Sequence, residues 1–149
     1  MSYDRMDWHY GADDFPKELD IKSGGTHIGM YLAWAIHNNL IGEFHLQESL
    51  ESIEKVKNRE MTGTDFLVRE CDEKLWSEDL NELGNEFTKH YYESNLYYGD
   101  YELAVGEHYA TLYHIPDTWE NFDKVSKLLT SKFNKWAEGK NKKWWQFWK

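Results

Sequence analysis

The sequence predicts a mainly α-helical, single compact domain of about five helices packed around one central apolar helix, with an extended N-terminal arm. Three observations carry this reading. Thr26–Leu40 (THIGMYLAWAIHNNL) is the longest apolar run in a chain otherwise dense with charge. Apolar residues then recur at helical spacing in several later stretches. Only two prolines, Pro16 and Pro116, interrupt the chain, so long helices can run between them.

In the central run, Ile28, Leu32, Ala35, Ile36 and Leu40 form one stripe, and Met30, Trp34, His37 and Ile41 cover much of the opposite side. A helix that is apolar nearly all round has neighbours on more than one face. His27, His37, Asn38 and Asn39 interrupt it, and it falls short of the roughly 20 apolar residues a bilayer requires. Ser23-Gly24-Gly25-Thr26 supplies a turn and a hydroxyl cap before it, and Asn38-Asn39 with Gly42 supplies a stop.

Before this hub, residues 1–25 lack periodicity and read as an arm, with room for one short strand, that lays Trp8, Tyr10 and Phe15 on the core. After it, Glu43–Arg59 reads as one amphipathic helix with Leu46, Leu50, Ile53 and Val56 inward. Thr62-Gly63-Thr64-Asp65 starts another, with Phe66, Leu67, Cys71 and Leu75 inward. Ser77-Glu78-Asp79 restarts the chain with a hydroxyl cap and two first-turn acids, followed by a long stripe of Leu80, Leu83, Phe87, Tyr91, Asn95 and Tyr98. Gly99–Gly106 is either its continuation or a second short helix, and His108–Ile115 a short strand or an extended connection. Asp117-Thr118-Trp119-Glu120 opens the last helix as a capping box, with Gly139 as its end. The domain therefore spans 1–138, and 139–149 form a Lys/Trp-rich tail.

An aromatic content of 17% beside a mean hydropathy of −0.84 describes an aromatic core in a charged shell, not a disordered chain. Net charge is −10, unevenly spread. Lys132–Lys149 carries six lysines against Glu138, or +5, while the other 131 residues carry 11 basic and 26 acidic side chains, or −15. Such a body argues against nucleic acid as the partner, because phosphate binding needs a basic face. It favours a basic protein surface instead. The single cysteine, Cys71, is read as excluding an internal disulfide and any cysteine-based zinc site. MSYDRMDWHYGADDF has no apolar leader segment, and both facts point to the cytoplasm.

The candidate chemistry is sparse. Seven histidines are present without H-E-x-x-H, H-x-H or C-x-x-C, so no metal or cofactor is expected. His27, between Gly25 and Gly29 at the head of the hub, is the histidine that best suits a functional role; the competing reading is a ring that locks the arm. Cys71 falls on an apolar stripe and reads as a core thiol. A small metal- or His-dependent enzyme centred on His9, His27 and His45 is the alternative to a binding protein. The acidic run of Asp72, Glu73, Glu78, Asp79, Glu82 and Glu86 around Trp76 has the composition of a binding surface for Lys/Arg-rich partners. It also suits a solvated junction with Trp76 as its buried plug. In the tail, Trp144, Trp145, Phe147 and Trp148 among lysines suit docking on the body or a partner better than membrane anchoring.

An ordered series of short motifs then stands out: Trp8-His9-Tyr10-Gly11, Phe15-Pro16, Thr26-His27-Ile28-Gly29-Met30 with Leu32-Ala33-Trp34, and Thr62-Gly63 with Phe66-Leu67. Cys71-Asp72-Glu73-Lys74, Asp79-Leu80-Asn81 with Gly84-Asn85, Tyr91-Tyr92 and Asp117-Thr118-Trp119 continue it. Over about residues 3–136 this series resembles a bacterial family described only as a domain of unknown function. Its members resemble small acidic cytoplasmic proteins that occur beside secreted polymorphic toxins, as immunity proteins do. The resemblance implies no catalytic residue. It suggests an immunity-type protein that binds a cognate toxin or effector, with Trp8, His9, Tyr10, Thr26, His27 and Gly29 as a motif that docks the arm and fixes the fold.

Overall fold

The computed structural model describes residues 2–147, with side chains through Lys140. Among these residues the chain forms eight α-helices and one two-stranded sheet: β1 (Ser2–Arg5), α1 (Met6–Tyr10), α2 (Thr26–His37), α3 (Glu43–Glu48), α4 (Leu50–Lys57), α5 (Gly63–Glu70), β2 (Lys74–Trp76), α6 (Glu82–Tyr91), α7 (Leu96–Val105) and α8 (Trp119–Phe147). Single 3-10 turns occupy Ile21–Gly25, Ser77–Asp79 and Leu112–His114.

The hub is α2. Every residue from Thr26 to Ile36 is buried, as an all-round apolar helix requires. Tyr31 and Trp34 anchor an aromatic core: Tyr31 meets Tyr92 and Tyr97 edge-on at 4.9 and 5.2 Å, and Trp34 meets Phe87 and Phe133 at 5.6 and 5.8 Å. The closest helix neighbour is α5. A Cβ on Gly29 would come within 2.4 Å of the Thr64 backbone nitrogen, and one on Gly63 within 1.8 Å of the Gly29 carbonyl oxygen. Two glycines thus let the α2 and α5 backbones touch, which brings Phe66 and Leu67 against the hub.

Several boundaries differ from the periodic reading. The predicted Glu43–Arg59 helix breaks at Ser49, whose backbone leaves the α region. The break leaves Leu46 and Leu50 exposed while Ile53 and Val56 stay buried. The stretch from Ser77 makes a 3-10 turn, and α6 starts later, capped by Asn81, whose Oδ1 accepts from the Gly84 N–H at 2.8 Å. The long 80–98 stripe ends at Asn95, which adopts φ 70°, so α7 is a separate helix. At α2, Gly25 occupies the cap position without a side-chain bond, so the expected hydroxyl cap is not made. At α8, Thr118 caps the helix through the Asn121 N–H, and the helix runs past Gly139 to Phe147. The expected docking of the tail tryptophans lies outside the described residues.

The arm is ordered. β1 pairs antiparallel with β2, Asp4 opposite Leu75 and Arg5 opposite Lys74, with an irregularity between Ser2 and Asp4. Neither strand exceeds four residues, too short for an alternating pattern to show.

Candidate functional site

Two buried polar centres and one acidic groove carry the chemistry of this fold. The first centre is the Asp4 carboxylate, fully buried at the middle of β1. Its Oδ1 accepts from the Arg5 N–H and from His9 Nε2, both at 2.8 Å. Its Oδ2 accepts from Tyr98 Oη at 2.7 Å, His27 Nε2 at 3.2 Å and Tyr92 Oη. Five donors from β1, α1, α2 and the α6–α7 corner therefore saturate one carboxylate. Burial alone would raise the pKa of Asp4, but hydrogen bonds from His27 and His9, and their electrostatic attraction, outweigh it and hold the group well below the usual carboxylate range. Burial raises Tyr92 and Tyr98, with Asp4 adding to it, so both phenols keep their protons as donors.

At His9, Nδ1 lies 2.6 Å from the Tyr113 phenol. With Nε2 donating to Asp4, the network assigns Nδ1 as the acceptor from Tyr113. Burial pushes His27 below its ordinary 6.5, against the pull of Asp4, and its Nδ1 has no hydrogen-bond partner. The His9 and His27 rings meet edge-on at 4.5 Å. Asp4, His9 and His27 have the donor types of a metal triad. Yet the carboxylate already accepts five hydrogen bonds, and the centre works as a clamp that pins the arm to the hub.

The sequence motif thus divides. His9 and His27 join the arm to α2 through Asp4, Gly29 packs on Thr64 of α5 and Thr26 is buried at the head of α2, whereas Trp8 is 53% exposed. Tyr10 is half-buried and donates to Glu73 at 3.1 Å. In the sequence Asp4 carries no distinguishing signal: it stands between Tyr3 and Arg5 in an aperiodic segment.

The second centre gathers His45 of α3, Cys71 after α5 and Asp79 of the Ser77–Asp79 turn, all buried. His45 Nε2 lies 2.7 Å from Asp79 Oδ1 and 3.6 Å from Cys71 Sγ. Its Nδ1 lies 3.0 Å from Ser49 Oγ, which donates to Glu70 at 3.0 Å; Ser52 donates to the other Glu70 oxygen at 2.9 Å. Asp79 Oδ2 accepts from the Trp76 N–H at 2.9 Å. This is not a nucleophilic triad, because a triad uses opposite nitrogens of the histidine for the acid and the nucleophile. Here one nitrogen faces both. Burial, and then the carboxylates of Asp79 and Glu70, push the Cys71 thiol up, the reverse of activation. His9 and His27 share Asp4 while His45 belongs to this other centre, so the three histidines do not form one site.

The acidic residues are likewise divided. Asp79 does not reach the surface, because its carboxylate is engaged by His45 and the Trp76 backbone. Glu86 is exposed but pairs with Lys140 of α8. Asp72, exposed, lies 3.4 Å from Lys74, and Glu73 is held by Tyr10. Trp76 is 38% exposed, so it is not a buried plug. Glu78 and Glu82 stand on the rim of a groove of about 560 Å³ between α3 and the start of α6. Glu43 completes the rim, and exposed Phe44 and Leu46 line its wall. Among the described residues no lysine, arginine or histidine lines it. The periodicity places Leu46 inward and leaves Phe44 unassigned; the break at Ser49 separates α3 from that stripe, and both side chains are exposed.

Fold and centres define a small, mainly helical domain whose arm is clamped to a central apolar helix by a buried carboxylate. The chain belongs to the family described as a domain of unknown function, DUF7832, which matches residues 2–115. The match contains both buried centres and the groove, and it ends before Asp117-Thr118-Trp119 and α8. No curated protein and no solved structure matches the chain. Among the described residues, no helix is long and apolar enough to cross a membrane.

Proposed function

We propose that this protein is an immunity-type binding protein that neutralises a bacterial toxin or effector, in the cytoplasm, by docking a basic surface of that partner in the groove between α3 and α6. One observation supports this most. Two large apolar side chains, Phe44 and Leu46, are 55% and 48% exposed beside three glutamates, Glu43, Glu78 and Glu82, with no cation lining the groove among the described residues. Exposed apolar surface rimmed by one sign of charge suits a partner that offers an apolar side chain ringed by lysine or arginine. The −15 body adds long-range attraction for such a partner. Trp76 and Leu83, exposed at 38% and 42%, extend apolar surface along the same segment.

The setting is interbacterial competition, with a secreted effector encoded beside this chain, as for type VI secretion cargo. The reading is tested by expressing the product of the adjacent gene in a heterologous bacterium with and without this chain. It requires growth arrest that co-expression relieves. An adjacent product that is harmless, or that stays toxic in the presence of this chain, contradicts it.

A further inference from the structure

The His45–Cys71–Asp79 centre contains a proton-direction constraint that the Asp4 clamp does not. The Ser49 hydroxyl has one proton, and it goes to Glu70, whose carboxylate also takes the Ser52 hydroxyl proton. His45 Nδ1 must therefore be the donor toward Ser49 Oγ. In a neutral imidazole that leaves Nε2 as a bare lone pair, aimed at a carboxylate oxygen 2.7 Å away and a sulfur 3.6 Å away. Lone pairs facing each other in a dry site repel. Something positive must lie between them: a proton on the ring, the thiol or the carboxyl, or a metal cation that replaces it.

The geometry points to a divalent transition-metal site, of zinc-type donor chemistry, formed by His45 Nε2, Cys71 Sγ and Asp79 Oδ1. These three donors lie within 4.8 Å of one another and come from three separate segments. Imidazole, thiolate and carboxylate together are zinc ligands. A tetrahedral ion about 2.0 Å from nitrogen and about 2.3 Å from sulfur sets those two atoms about 3.5 Å apart, close to the separation found here. The 2.7 Å between Nε2 and Asp79 Oδ1 is shorter than such an ion sets, so the Asp79 carboxylate has to swing outward. The outer contacts are those of a metal-bound histidine and carboxylate: Nδ1–H held by Ser49 Oγ, which in turn donates to Glu70, and the second Asp79 oxygen held by the Trp76 N–H.

Charge and protons balance. A thiolate and a carboxylate neutralise a divalent cation, so the buried site carries no net charge. Binding forms bonds from the ion to Nε2, Sγ and Oδ1 and releases the Cys71 thiol proton, and the Nε2 proton where present, to solvent. A cation also reverses the environment that otherwise keeps the thiol protonated. No linear motif reveals the set, because 26 and 8 residues separate its members. The inference does not depend on the groove's partner. Phe44 and Leu46 flank His45, and Glu78 and Leu80 flank Asp79, so the ion lies behind the groove and joins its two walls.

The test uses the full chain, stripped by chelator and shown by circular dichroism to be folded, then loaded with zinc or cobalt and desalted. One equivalent of metal by elemental analysis is expected, with a sulfur-to-cobalt charge-transfer band that Cys71→Ser abolishes. Asp79→Asn should retain the band and weaken affinity by about 10–100-fold, while His90→Ala on the exposed surface should change nothing. A zinc-dependent rise in Tm of the wild-type chain is a second readout that needs no variant. Less than stoichiometric metal on the folded wild-type chain, or a cobalt spectrum without the sulfur band, overturns the proposal and leaves a ring proton between His45 and Asp79.

Discussion

Gly29 and Gly63 bring the α2 and α5 backbones into direct contact, with no room for a Cβ on either. At Gly63 an added methyl would lie 1.8 Å from the Gly29 carbonyl oxygen and 2.9 Å from the Ala33 Cβ. The obstacle is backbone, so no side-chain rotation relieves it. Gly63→Ala should therefore destabilise the protein by about 3 kcal/mol or more, beyond ordinary overpacking. Chemical denaturation of the variant against wild type measures this, and a loss under about 1 kcal/mol would show that the helices can separate freely.

Glycines without such neighbours should behave oppositely. Gly99 in α7 and Gly139 in α8 have nothing within 4 Å of a built Cβ. Alanine at either position removes unfolded-state freedom and gains helix propensity, for about 0.5–1 kcal/mol of stabilisation. Thermal unfolding of the double variant should show a higher Tm.

Acid should weaken this fold through the Asp4 clamp. His27 is pushed below its ordinary 6.5 by burial, so the unfolded chain takes up that proton first, and stability declines as pH falls through about 6.5. Asp4 is depressed below its ordinary 3.8, so its contribution is complete above that value and is lost below it. Both effects run in one direction. Asp4→Asn should cost about 3 kcal/mol at pH 7 and flatten the decline below about pH 4. Unfolding free energies at pH 7, 5 and 3 test this; an unchanged acid limb in the variant would remove Asp4 from the account.

Asn95 marks the corner between α6 and α7 with φ 70°. Glycine there should be neutral within about 0.5 kcal/mol, while Asn95→Val should cost about 1–2 kcal/mol, because a β-branched residue resists the left-handed region. Equal stability of the two variants would mean that the corner is not held in that conformation.

The hub was legible in the sequence because an all-round apolar helix needs no partner information to be recognised. Of the three first-turn residues expected to dock the arm, Gly25 lies against Met6 and His27 against Asp4, whereas Gly29 packs on Thr64 of α5 instead. What stayed hidden depends on contacts between distant segments. Asp79 reads as one more acid in an acidic run, and only the fold shows that His45, 34 positions earlier, takes it inward. Asp4 is equally silent until Tyr92 and Tyr98 close over it. The breaks at Ser49 and Asn95 are single-residue backbone changes that hydrophobic periodicity passes over, and the first of them exposes Phe44 and Leu46.

The groove between α3 and α6 carries the functional proposal, and its three glutamates are the most economical place to test it. Glu43, Glu78 and Glu82 are exposed, and none pairs with a cation of this chain among the described residues. Replacing all three with lysine should leave folding intact, since exposed single-sign changes of this kind lie within about 0.5 kcal/mol each. The decisive measurement is the association rate and Kd of wild type and of the Glu43→Lys/Glu78→Lys/Glu82→Lys variant for the purified product of the adjacent gene, at low and high salt. The account predicts tight binding whose association rate falls with salt, and a variant at least 100-fold weaker. Binding that ignores both salt and the triple reversal, or no binding by the wild-type chain, would contradict it.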